Sequence, residues 1–148
     1  MAERAGQGKR VGVAFGAWPL IHGGSVRFLE EARAACDFLY AVILGDASAA
    51  DKTIDGKTAA GLLKPDERRR ILAAMRMVDG VETVDSLGSV IEGCRKAAPR
   101  AVWFVNGSEG DVSEQTIAEI KRGGVQVQII HEQDPCVTRA LLRRMAGR

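Results

Sequence analysis

Val11-Gly12-Val13-Ala14-Phe15-Gly16-Ala17-Trp18-Pro19-Leu20-Ile21-His22-Gly23-Gly24-Ser25 is the stretch on which the fold reading turns. Val11–Phe15 is apolar, rich in β-formers and stopped by Gly16, which reads as a buried first strand. Its far end leads into Val26–Cys36, where Val26, Leu29, Ala32 and Cys36 fall close to one helical face and Ser25 offers a hydroxyl as N-cap. Between strand and helix lies a loop of the kind whose free backbone N–H groups can hold a phosphate. Gly23 and Gly24 permit close backbone approach, and His22 can donate to a phosphate oxygen. The same residues also fit a plain tight turn in which His22 satisfies the local backbone. The loop is neither a Walker sequence nor a G-x-G-x-x-G fingerprint.

Outward from this stretch, apolar runs and helical periodicities alternate. Phe38–Leu44 is continuous in apolar character, as a strand buried on both faces should be. Val81–Val84, Ala101–Val105 and Val125–Ile130 read as three further strands, the last nearer an edge because it partly alternates. Pro65 and Glu67 open a helix with Ile71, Leu72, Met75 and Val78 on one face, and Ser86 caps another that runs to Ala98 before Pro99. Ser113 caps Glu114–Arg122, closed by Gly123-Gly124, and a last helix spans about Thr138–Met145. Gly45–Lys64 carries no sustained period, and a connection that long is often functional. Five strands alternating with five helices predict an α/β fold with a doubly wound, five-stranded parallel sheet. Residues 1–9 read as a flexible lead and residues 10–148 as a single domain.

The chain has 148 residues, 46% of them hydrophobic and 27% charged, enough for one core without staples. Its formal charge of +2 is too near neutral to point to nucleic acid as a partner. No apolar run approaches the ~18 residues of a membrane-spanning helix, and the opening residues have no hydrophobic centre for a secretory signal. Cys36, Cys94 and Cys136 are odd in number and far apart, which fits buried small hydrophobes in a reducing cytoplasm better than a disulfide or metal framework.

The first loop and its helix resemble the nucleotidyltransferase superfamily with a His-x-Gly-His signature, nearest the adenylyltransferase domain of bacterial heptose-phosphate enzymes and glycerol-3-phosphate cytidylyltransferase. Where that family has Asn-Gly-Cys-Phe-Asp-Leu-Leu-His-x-Gly-His and then Val-Arg-Tyr-Leu-Glu-Glu-Ala-Arg, this chain has Phe15 to Ser25 and then Val26-Arg27-Phe28-Leu29-Glu30-Glu31-Ala32-Arg33, without a gap. Leu44-Gly45-Asp46, Pro65–Asp79, Gly123-Gly124-Val125 and Cys136-Val137-Thr138 extend the resemblance along the chain. It implies a Rossmann-like nucleotidyltransferase fold, ATP or CTP as nucleoside triphosphate with Mg²⁺, a phosphorylated sugar or polyol as acceptor, and a homodimer. It also implies nucleotide binding by Phe15, Gly16, Ala17, Trp18, His22, Gly24, Asn106, Gly107 and Thr138. Three positions depart from the pattern: Pro19 replaces an aspartate, Ser25 the second signature histidine, and Asn106 a lysine.

The reaction so implied is in-line attack by an acceptor phosphate oxygen on the α-phosphate, with pyrophosphate leaving. Protein groups serve it by positioning and by stabilising oxygen charge. His22 and Ser25 stand at the catalytic positions. Lys52 and Lys57 could follow the β- and γ-phosphates, or simply belong to a solvated loop. Ser25 donates a hydrogen bond but carries no charge, so a nucleotide or partner binder without turnover is the competing expectation. A pure protein-interaction domain is a third. Trp18 and Trp103 could stack on a base, with Trp103 more simply core, and His131 could face the acceptor. Arg68–Arg70 reads as a solvated helix face or subunit contact. No Ser-His-Asp arrangement, paired catalytic carboxylates or metal-ligand cluster is legible.

Overall fold

The computed structural model describes residues 2–16, 18, 20–44, 53–54, 57–58, 63–97, 100–106, 114–131 and 144. The elements run α1 (Ala2–Gly6), β1 (Val11–Gly16), α2 (Gly23–Ala34), β2 (Phe38–Leu44), β3 (Thr53–Ile54), β4 (Lys57–Thr58), α3 (Pro65–Ala73), β5 (Gly80–Val84), α4 (Leu87–Ala97), β6 (Ala101–Asn106), α5 (Glu114–Arg122) and β7 (Gln126–Ile130). Five strands form one parallel sheet in the order β5-β2-β1-β6-β7. The expected α/β, doubly wound, five-stranded parallel sheet is the fold observed. Sequence order reverses between β1 and β6, so the switch point lies at the ends of those two strands.

Alternation along β1 explains both faces of the sheet. Ala14 joins Leu39, Ala41, Ile43, Val102 and Phe104 beneath Phe28, Leu29 and Ala32 of α2 and Leu72 of α3. Val13 and Phe15 join Val42, Trp103 and Val105 beneath Val90, Ile91 and Cys94 of α4 and Ile120 of α5. Every residue of β1 and β6 is buried, whereas β5 and β7 are half open, as edge strands are. Gly12 is required by close approach: a Cβ there would lie 2.6 Å from the Cys36 Sγ and 2.7 Å from the Phe104 ring.

Several boundaries differ from the sequence expectation. The lead-in holds α1, with the Arg4 guanidinium 4.6 Å over the Phe38 ring and Arg100 donating to the Gly8 carbonyl. The aperiodic stretch Gly45–Lys64 holds the antiparallel pair β3–β4. The helix from Pro65 ends at Ala73, short of its apolar pattern. Met75 and Val78 pack from the turn that follows, and Ile71 is exposed. Pro65 at the start and the Glu67 carboxylate accepting the Lys64 N–H fix its beginning. Gly124, at φ 79°, closes α5 in the left-handed conformation. Of the final helix expected over Thr138–Met145, only Arg144 is described, and it is helical. Among the described residues no helix is long and apolar enough to cross a membrane.

Burial dominates the two described cysteines. It pushes the Cys36 thiol up to about 11, against the opposing Arg33 charge, and the Cys94 thiol to about 12, helped by Glu82. Neither is reactive at neutral pH, so iodoacetamide at pH 8 should label both only once urea unfolds the chain. The sign of the linkage follows. The unfolded thiols titrate near 9.0 and the folded ones later, so the stability they contribute is full below 9 and falls as pH rises through 11.

Candidate functional site

Gly16 ends β1 and Asn106 ends β6, so both stand at the carboxyl edge of the sheet, from which the chain leads to α2. The β1–β6 register runs from Val11 opposite Ala101 to Ala14 opposite Phe104, and the two strands end at Gly16 and Asn106. Asn106 is a polar side chain with only 8% exposure, and its own register partner on β7 is Ile130. A buried carboxamide at a switch point is a neutral donor and acceptor where the resembled pattern has a cation.

His22, not Ser25, is the N-cap of α2. Its Nδ1 accepts from the Gly24 N–H at 3.0 Å and from the Ser25 N–H at 3.4 Å, while the Ser25 Oγ accepts the His22 N–H at 3.4 Å. The Val26 N–H closes the first helical bond on the His22 carbonyl. The expectation that Ser25 caps the helix is therefore corrected: Ser25 is the third helical residue, buried, and reciprocates the cap. The tight-turn reading of His22 is correct as far as its Nδ1 is concerned. That arrangement has a chemical consequence. An Nδ1 that accepts two amides carries no proton, so the neutral imidazole carries its proton on Nε2. The amides of Gly24 and Ser25 are spent on the imidazole, and the positive end of α2 acts through the His22 ring.

Trp18 does not stack on an exposed ligand face. It is 7% exposed, its indole N–H donates to the Val42 carbonyl at 3.1 Å, and its ring lies tilted on Phe28 with centroids 6.1 Å apart. Its φ of 52° makes it the one described non-glycine residue in the left-handed region. For so bulky a residue this costs about 1–3 kcal/mol and persists only where surrounding contacts over-determine it. Phe15 likewise turns inward, tilted against Trp103 at 5.5 Å. Trp103 is fully buried, as a mid-strand core residue.

Arg68 is a second correction. Arg69 and Arg70 are exposed, but Arg68 is 1% exposed in the first turn of α3, on the carboxyl side of the sheet. No local periodicity marks it. His131 is exposed just after β7. Ala17, Lys52, Gly107 and Thr138 lie outside the described residues, as do Pro19 and the side chain of Lys57, whose backbone is in β4. Among the described residues no group of three or more His, Cys, Asp or Glu gathers to hold a metal.

Sequence and structural relatives agree with this fold. No family model matches the chain. The bifunctional protein HldE of Gluconacetobacter diazotrophicus is 38% identical over 81 residues, 55% of this chain and 16% of that protein. The FAD synthase of Ferroglobus placidus is 26% identical over 119 residues, 80% of this chain and 72% of that one. In fold, the lipopolysaccharide core biosynthesis protein of Thermoplasma volcanium superposes with a TM-score of 0.65 at 16% identity, covering 85% of this chain and 98% of its own. The chain is related to the nucleotidyltransferase superfamily. This nucleotidyltransferase relative spans a small part of the HldE length and most of the FAD synthase length. The stretch from His22 to Arg33 thus sits where its resemblance predicts, on the first strand-loop-helix unit of the sheet.

Proposed function

We propose that this nucleotidyltransferase-like chain binds ATP or CTP at the β1–β6 switch point and transfers NMP to a sugar or polyol phosphate, releasing pyrophosphate. The observation that carries the reading is the His22 cap, which fixes the imidazole at the positive end of α2 through its Nδ1. We assign its Nε2 the part of a phosphate-oxygen donor whose hydrogen bond strengthens as charge builds there. To Gly16 and Asn106, at the ends of β1 and β6, we assign nucleotide binding, together with Ala17, Gly107 and Thr138. Lys52 and Lys57 serve the β- and γ-phosphates. Mg²⁺ enters as the chelate of the triphosphate. Residues 10–148 act as one domain, in a cytoplasmic homodimer.

A second reading rests on Ser25. Its hydroxyl faces the His22 backbone and it is 5% exposed, so it stands in the cap rather than before a phosphate. A site with one imidazole instead of two binds nucleotide without turnover. Pyrophosphate release with ATP and CTP, Mg²⁺ and pooled sugar phosphates separates the two. The proposed transfer requires release by the wild type. Saturable triphosphate binding with release only in Ser25→His would establish the binder, and a wild type that neither binds nor releases would end both.

A further inference from the structure

We propose that Trp18 is a positioning residue: its indole latches the β1–α2 loop to β2 and holds His22 in its capping place. The functional arm rests on the triphosphate reading, whereas the latch itself does not.

Three contacts define the latch. The indole N–H reaches Val42, across 24 residues of sequence, near the carboxyl end of β2. The ring seats on Phe28, one turn inside α2. The third is Gly16: a Cβ there would lie 3.2–3.3 Å from the indole, so the bare backbone of Gly16 lets the ring lie close over the end of β1. One side chain thus touches the strand before the loop, the helix after it and the neighbouring strand. The chain at Trp18 runs left-handed, which sets the direction in which Leu20 and Ile21 return to His22. Release of the indole frees that dihedral to move to the extended region that a residue before proline favours, and the imidazole moves with the loop. The resembled family pattern has phenylalanine here, which fills space but cannot donate, so the bond to Val42 belongs to this chain.

Trp18→Phe removes the donor and keeps a ring. Amide exchange at Gly24 and Ser25 should rise by about tenfold, while exchange at Ile120, on the opposite face of the sheet, stays as in the wild type. Triphosphate affinity, measured by calorimetry with Mg²⁺-ATP, should fall by about tenfold as the donor loses its place. A uniform rise at all amides would reduce Trp18 to a packing residue and overturn the proposal, as would unchanged exchange at Gly24 and Ser25. A wild type whose local exchange pattern responds to Trp18→Phe but which binds no triphosphate would keep the latch and remove the triphosphate reading. Should the variant fail to fold, the wild type decides. Its indole N–H and the Gly24 and Ser25 amides must open with the same urea dependence, and independent opening refutes the latch.

Discussion

Replacing His22 by alanine is expected to remove stability and triphosphate binding together, and replacing it by asparagine to restore only the first. Under the proposed function the imidazole does two jobs through two nitrogens. Nδ1 accepts the Gly24 and Ser25 amides, a cap whose loss costs about 1 kcal/mol, or a melting temperature about 2–4 °C lower for a chain of this size. Nε2 carries the proton that the proposed chemistry needs, and losing such a donor lowers kcat by ~10²–10³. Asparagine is among the best caps, and its carboxamide oxygen replaces Nδ1 without reaching where Nε2 stands. Thermal melts with and without Mg²⁺-ATP, followed by pyrophosphate release, separate the two jobs. An asparagine variant that transfers as well as the wild type would leave His22 a cap and nothing more.

The division of labour in His22 also shows where sequence reading succeeds. Strands were legible because burial on both faces writes itself as unbroken apolar runs: Phe38–Leu44 has the bounds read from its pattern, and β1 and β6 each extend by one residue, to Gly16 and Asn106. The β1–α2 connection was legible from its glycines and from the resemblance. The cap was not, because an imidazole is not among the usual capping groups and Ser25, three residues on, is. The spacing His22-x-x-Ser25 held the signal: two polar side chains three apart can satisfy each other's backbone. Trp18 carried no such sign. Its partner is on another strand, and its left-handed backbone is not one that tryptophan prefers locally. Arg68 was misread for a related reason. Three arginines in a row look solvated, and the helix turns one of them inward while leaving its neighbours in water.

Trp103→Ala is expected to be the most damaging core substitution, and Trp103→Phe close to harmless. Trp103 is fully buried on the interior strand β6, between Val13 of β1 and Val127 of β7 in register. Truncation to alanine removes that volume and leaves a cavity, a loss of about 3–5 kcal/mol from a total stability of order 5–15. Phenylalanine gives up less. The Trp103 Nε1–H is buried with no hydrogen-bond partner among the described residues, and an unpaired buried donor costs about 1–3 kcal/mol. Removing it offsets most of the lost packing, so the phenylalanine variant should fall within about 1 kcal/mol of the wild type in urea unfolding. A phenylalanine variant as unstable as the alanine one would mean that the indole is held for its shape alone. Phe15 stands between Trp103 and the site, 5.5 Å from that ring and one residue before Gly16. The alanine cavity should therefore also loosen the end of β1 and weaken triphosphate binding, whereas phenylalanine keeps Phe15 supported and binding intact.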